Sequence, residues 1–154
     1  MEQQKILIDN QQKTKIQTRR ISQKTELILN ALGCNAHEIS IVILDDRQMT
    51  QLNETYRGIS KPTNVLAFPM QEGQFSDITP GLLGDVVISL ETAEREAITA
   101  MISLEERISQ LLIHGILHLL GFDHEMGDRE ADAMEKKSLE LLRLVEKNDN
   151  LTAF

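Results

Sequence analysis

The stretch "SLEERISQLLIHGILHLLGFDH", residues 103–124, decides how the rest of the chain is read. Ser103 followed by Glu106 has the form of a capping box, which satisfies the first orphan N–H groups of a helix. Gly121 suits the position just past a helix end. The spacing therefore predicts a long helix that stops at Gly121. His114 and His118 lie near its C-terminal end, four residues apart, so their side chains point the same way. His124 follows the stop, on a segment that can turn back toward them.

Three of the four histidines thus fall between positions 114 and 124 at ligand spacing. Three neutral imidazole nitrogens on one ion leave a fourth tetrahedral position for water, the arrangement of a catalytic rather than a structural zinc site. Imidazole also suits nickel, copper and iron, so zinc is favoured without being fixed. Such an ion lowers the pKa of its bound water to near ~7. The offsets, Gly121 included, are those of a metzincin-like protease pattern, H-E-x-x-H-x-x-G-x-x-H. The residue that should be the glutamate base is Gly115. A peptide amine leaves poorly without a proton, so peptide hydrolysis would need another acid. Asp123 and Glu125 flank His124 and could serve. A supporting hydrogen bond to a ligand histidine is the simpler role for Asp123.

Working outward, "EISIVILDD" (38–46) and "LLGDVVISL" (82–90) read as strands, and "IVILD" and "DVVIS" as the central ones. "KILIDN" (5–10) reads as a shorter strand, and "NVLAFP" as a strand whose Pro69 marks an end or an edge. Helical spacing runs through Ile21, Leu27, Ile28 and Leu32, and through Met49, Leu52 and Tyr56. "ETAEREAITA" (91–100) is a further helix, and "DREADAMEKKSLELLRLVEK" is the last, with Asp128 as its N-cap. Short strands interleaved with helices give an α/β or α+β layered domain.

At 154 residues the chain is long enough for one domain with a proper core, spanning 1–154. One cysteine, Cys34, excludes an intrachain disulfide and is expected to be a small, partly buried thiol. His37, without histidine company, reads as a surface residue. No segment resembles a signal peptide or approaches the length of a membrane span, so a cytoplasmic protein without a membrane partner is expected. A net charge of -8 and a pI near 5.0 argue against a broad basic surface for nucleic acid, though not against a local patch.

"HGILHLLGFDH" resembles the H-G-x-L-H-L-x-G-Y/F-D-H motif of the YbeY family, bacterial endoribonucleases of ribosomal-RNA maturation. "LNETYRGISKPTNVLAFP" resembles that family's L-N-x-x-Y-R-x-x-x-x-P-T-N-V-L-S-F-P, and "LLGDVVIS" its L-G-D-I-V-I-S strand. The blocks occur in the family's order, and the resemblance spans most of residues 38 to 145. It implies an α+β fold, a small mixed sheet covered by helices, with the metal site on a long helix and the loop after it. It implies one zinc ion per chain, on His114, His118 and His124. It implies cleavage of single-stranded RNA in maturation of the 3′ end of small-subunit rRNA, and a part in ribosome quality control. RNA and the ribosome or its proteins are the implied partners, and no DNA is expected. Ala67 stands where the family often has serine, and "GIS" (58–60) replaces a more charged turn.

Arg57 matches the family's functionally important arginine. A guanidinium is always charged and can grip a phosphate through two parallel hydrogen bonds, so Arg57 is assigned, with His114, to catalysis. Lys61 and Asn64 are assigned with Arg57 to substrate binding, although capping the turn is the simpler role for Thr63 and Asn64. Asp85 and Asp123 are expected as auxiliary groups. The competing readings are a peptidase-like zinc hydrolase and a non-catalytic ribosome-assembly factor whose zinc is structural.

Overall fold

The computed structural model describes residues 5–34, 37–70, 82–122, 127–152 and 154. Four strands are seen among them: β1 (Lys5–Asn10), β2 (Glu38–Leu44), β3 (Val65–Pro69) and β4 (Leu82–Ser89). Five helices accompany them: α1 (Thr18–Ala31), α2 (Asp46–Arg57), α3 (Leu90–Ala100), α4 (Leu104–Leu119) and α5 (Asp128–Glu146). The strands form one mixed sheet in the order β1-β2-β4-β3, with β1, β2 and β4 parallel and β3 antiparallel to β4. The two expected central strands are the central ones. Pro69 ends an edge strand, where its missing N–H costs no ladder bond. Among the described residues no helix is long and apolar enough to cross a membrane.

Both faces of the sheet are covered, which is why its central strands read as near-continuous aliphatic runs. Ile39, Ile41 and Ile43 of β2 and Val86 and Ile88 of β4 are sealed in the larger core with residues of α1, α4 and α5. On the other face, Leu44, Leu66 and Val87 join Met49 of α2 in a smaller core. Cys34 is buried in the larger core, and burial pushes its thiol above the ordinary value.

Helix α4 is apolar nearly all round and correspondingly deep: Leu112, Ile113, Ile116 and Leu117 are fully buried. Ser103 caps it by accepting from Glu106 N at 3.0 Å. Its C-terminus is a complete Schellman motif. Phe122 N donates to Leu117 O and Gly121 N to His118 O, both at 3.0 Å, with Gly121 at φ 94°.

Several local expectations need correction. Leu27 lies at the solvent edge of α1 (37% exposed), and Thr25 takes the inward place, its hydroxyl satisfied by Ile21 O at 2.7 Å. Helix α5 begins at Asp128 with Gly127 as N-cap, so Asp128 serves the helix dipole rather than the cap. His37 is half-buried, and its buried Nδ1 has no hydrogen-bond partner among the described residues. The reading also missed the capping box of α2, in which Asp45 and Gln48 serve each other's backbone N–H.

Candidate metal centre

His114 and His118 sit on the last two turns of α4, the half-buried residues of an otherwise sealed stretch. Their Nε2 atoms are 3.1 Å apart, and their rings meet edge to face with centroids at 4.5 Å. Two nitrogens bound tetrahedrally at ~2.0–2.1 Å from zinc would be about 3.3 Å apart. The pair therefore fits two positions of one coordination sphere. His124 and Asp123 lie outside the described residues. Among the described residues no group of three His, Cys, Asp or Glu side chains gathers about one point. The Schellman turn at Gly121 reverses the chain immediately after His118, the local requirement for a third ligand from the following loop.

Gly115 has a reason of its own. A Cβ built on it would stand 2.6 Å from Val86 Cγ1, 3.1 Å from Val86 Cγ2 and 3.4 Å from Val65 Cγ2. Helix α4 lies directly on β4 and β3 at this point, and only glycine permits it. In the sequence Gly115 stands where the protease pattern has its glutamate base. The packing adds that a glutamate at 115 would be driven into the sheet, not toward the histidines.

Gln110 and Arg107 continue the histidine stripe up α4 at helical spacing. Arg107 donates to Glu96 Oε1 through Nε (3.1 Å) and Nη2 (2.9 Å), and to Gln110 Oε1 (2.5 Å). Asn64 Nδ2 donates to the same Glu96 carboxylate at 3.2 and 3.3 Å, while Asn64 O accepts from Ser89 N at 3.0 Å. Asn64 thus ties the start of β3 to α3 and, through Glu96, to the histidine helix. Sequence reasoning did not single out Arg107 or Glu96, although the spacing from Arg107 through Gln110 to His114 was a signal for the former.

Arg57 is the last residue of α2, exposed, with no hydrogen bond or ion pair to its guanidinium among the described residues. Gly58 closes the helix at φ 69°. The loop beyond is pinned by Asn53, 2% exposed, whose Nδ2 donates to Lys61 O at 2.8 Å. The Lys61 side chain is exposed. Asp85 stands apart from the histidines. Its neighbour Val86 faces α4, so Asp85 faces the opposite side of the sheet, in a cleft with Phe68 and Tyr56. Ala67 lies on the α4 side of β3 with Val65, against the larger core.

A family model described as endoribonuclease YbeY matches residues 7–146. Among curated relatives, an endoribonuclease YbeY of Geobacter sulfurreducens is 46% identical over 144 residues, covering 92% of this chain and 96% of that protein. One of Aquifex aeolicus is 50% identical over 129 residues, covering 84% and 81%. One of Syntrophus aciditrophicus is 42% identical over 142 residues, covering 91% and 89%. The solution structure of a Thermotoga maritima protein superposes with a TM-score of 0.66 over 92% of this chain and 89% of that one, at 24% identity. That likeness speaks to the fold.

Proposed function

The chain belongs to the endoribonuclease YbeY family, and from that premise we propose that it is a metal-dependent, single-strand-specific endoribonuclease. Its substrate in this reading is small-subunit rRNA, cut in maturation of the 3′ end in the cytoplasm. Ribosomal proteins help present the RNA to an acidic enzyme, and the same activity serves ribosome quality control.

The observation that carries the reading is the 3.1 Å approach of His114 and His118 Nε2 on a helix that ends in a reversing turn. These two residues and His124 would hold one ion, zinc by donor type and number. A bound zinc ion supplies an acidified water and neutralises phosphoryl charge. Asp123 would orient a ligand histidine by a hydrogen bond.

Arg57 supports phosphodiester chemistry from this chain's side. Among the described residues its guanidinium has no carboxylate partner to displace, so its fork can take two phosphoryl oxygens and steady the charge that grows in the transition state. Lys61, three residues before Asn64, adds a second positive charge to the backbone path. The lack of space at Gly115 counts against a protease base there. A structural zinc would need a fourth protein ligand, and Cys34 is sealed in the core beside α1.

The test is cleavage of an unstructured RNA by the zinc-loaded protein, with casein as a parallel substrate. Wild type should cut RNA and spare casein, and chelation should stop the cutting. His118→Ala should lose bound zinc by elemental analysis. Arg57→Ala should keep its zinc and cut at least about tenfold more slowly, the worth of a charge-assisted hydrogen bond. Casein hydrolysis with intact RNA would replace this reading with the peptidase one.

A further inference from the structure

On the sheet face opposite the histidine pair, a cleft of about 550 Å³ opens beside α2. Leu52, Val42, Leu44 and Val87 make its walls largely apolar, with the amide of Gln11 at one side. Tyr56 forms its rim, 65% exposed, its ring centroid 5.0 Å from that of Phe68. Into this space β4 sends a single carboxylate, Asp85, directly across the ladder from Phe68. Asp85 is half-buried and makes no hydrogen bond or ion pair among the described residues. A carboxylate kept in such surroundings without a partner implies a ligand that brings donors to it.

The chemistry narrows the ligand. An ionised carboxylate only accepts hydrogen bonds, and it repels phosphate. The ligand must therefore present apolar flat faces to the aromatic pair and adjacent N–H donors to Asp85. Guanine does so, with N1–H and the 2-amino group side by side. Adenine and cytosine set an acceptor nitrogen beside their amino group, and uracil flanks its one N–H with two carbonyls. Each of these turns a lone pair on the carboxylate. Stacking on an aromatic side chain with readout of the Watson–Crick edge is how splayed single-stranded RNA is recognised.

We propose that this cleft is a guanine subsite, in which Asp85 accepts from N1–H and the 2-amino group and the base stacks against Tyr56 and Phe68. The proposal rests on the reading of the chain as an RNA-cutting enzyme and adds which base it holds. The cleft and the histidine pair lie on opposite faces of the sheet, so a strand bound to both crosses the edge at β3. Cleavage then falls at a constant offset from the held guanosine.

The measurement is fluorescence anisotropy of the zinc-loaded protein on three oligouridines. One carries a single guanosine, one an inosine in its place, and one neither. Wild type should bind the guanosine oligomer about tenfold more tightly than the inosine one, which lacks the amino donor. Asp85→Asn should bind both alike while melting at the wild-type temperature, and Tyr56→Ala should weaken both. A guanosine-to-inosine ratio unchanged in Asp85→Asn overturns the proposal and leaves the cleft to a cationic protein segment. Wild type that binds and cuts all three equally overturns the base assignment alone. Wild type that binds and cuts none removes the nuclease reading as well.

Discussion

Gly115 of α4 and Val86 of β4 are packed so closely that no side chain fits between them, a Cβ at 115 falling 2.6 Å from Val86 Cγ1. The contact sets the height of the histidine pair above the sheet. Gly115→Ala should cost about 1–3 kcal/mol by overpacking and weaken zinc binding, because α4 must lift with His114 and His118 aboard. Val86→Ala alone should cost about 2 kcal/mol in lost methyl burial. The double variant should cost less than the sum and regain zinc affinity. Strict additivity in denaturation and zinc titration would show that the contact does not couple to the site.

Gly121 should tolerate substitution poorly for a different reason. Nothing lies within 4 Å of a Cβ built there, yet its φ is +94°. Gly121→Ala should lose about 1–2 kcal/mol from the left-handed backbone alone. Gly121→Asn should lose less, since asparagine visits that region more readily. Thermal denaturation of the pair checks the order, and equal stability of wild type and alanine variant would refute it.

Asn53 holds the loop after Arg57 through one hydrogen bond to Lys61 O at 2.8 Å. Asn53→Ala should lose about 1–3 kcal/mol, because the bond disappears from a buried site. Asn53→Asp should be worse, since a carboxylate cannot donate to a carbonyl. Both should raise KM for RNA more than they lower kcat. An aspartate variant as stable as wild type would disprove the bond's importance.

Asp46 gives a pH signature. Burial raises its pKa, but hydrogen bonds from Thr92, Ser89 and Arg95 and the charge of Arg95 outweigh this and hold it below the ordinary 3.8. A depressed folded-state pKa stabilises the protein fully above the unfolded value and loses that contribution as pH falls through the folded one. Asp46→Asn should therefore melt below wild type at pH 7, and the gap should narrow as pH drops below 3.8. A gap constant down to acid unfolding would exclude this role.

Much of the architecture was legible because its signals are local. The runs around Ile41 and Val87, the cap at Ser103 and the stop at Gly121 each depend on a few neighbouring residues. The histidine spacing was equally local, since a helix alone brings His114 to His118. What depends on pairing between distant segments was not legible. Leu27 and Thr25 differ in burial because of how α1 leans on the sheet, which helical spacing does not specify. The contact between Gly115 and Val86 needs the placement of α4 on β4, so a glycine required by packing read as a missing base. The side of the sheet that Asp85 faces likewise follows only once Val86 is known to lie under α4.

Strand β4 carries neighbouring residues with opposite duties: Val86 props the histidine helix from below, and Asp85 looks into the cleft on the far side. Because successive strand residues alternate in direction, slipping β4 by one position would exchange them. The carboxylate would then be thrust beneath α4 and the cleft left wholly greasy. Inserting or deleting one residue in "GDVVIS" therefore cannot retune either surface alone. The two can be changed by substitution, residue by residue, but share a single ruler whose marks cannot be moved.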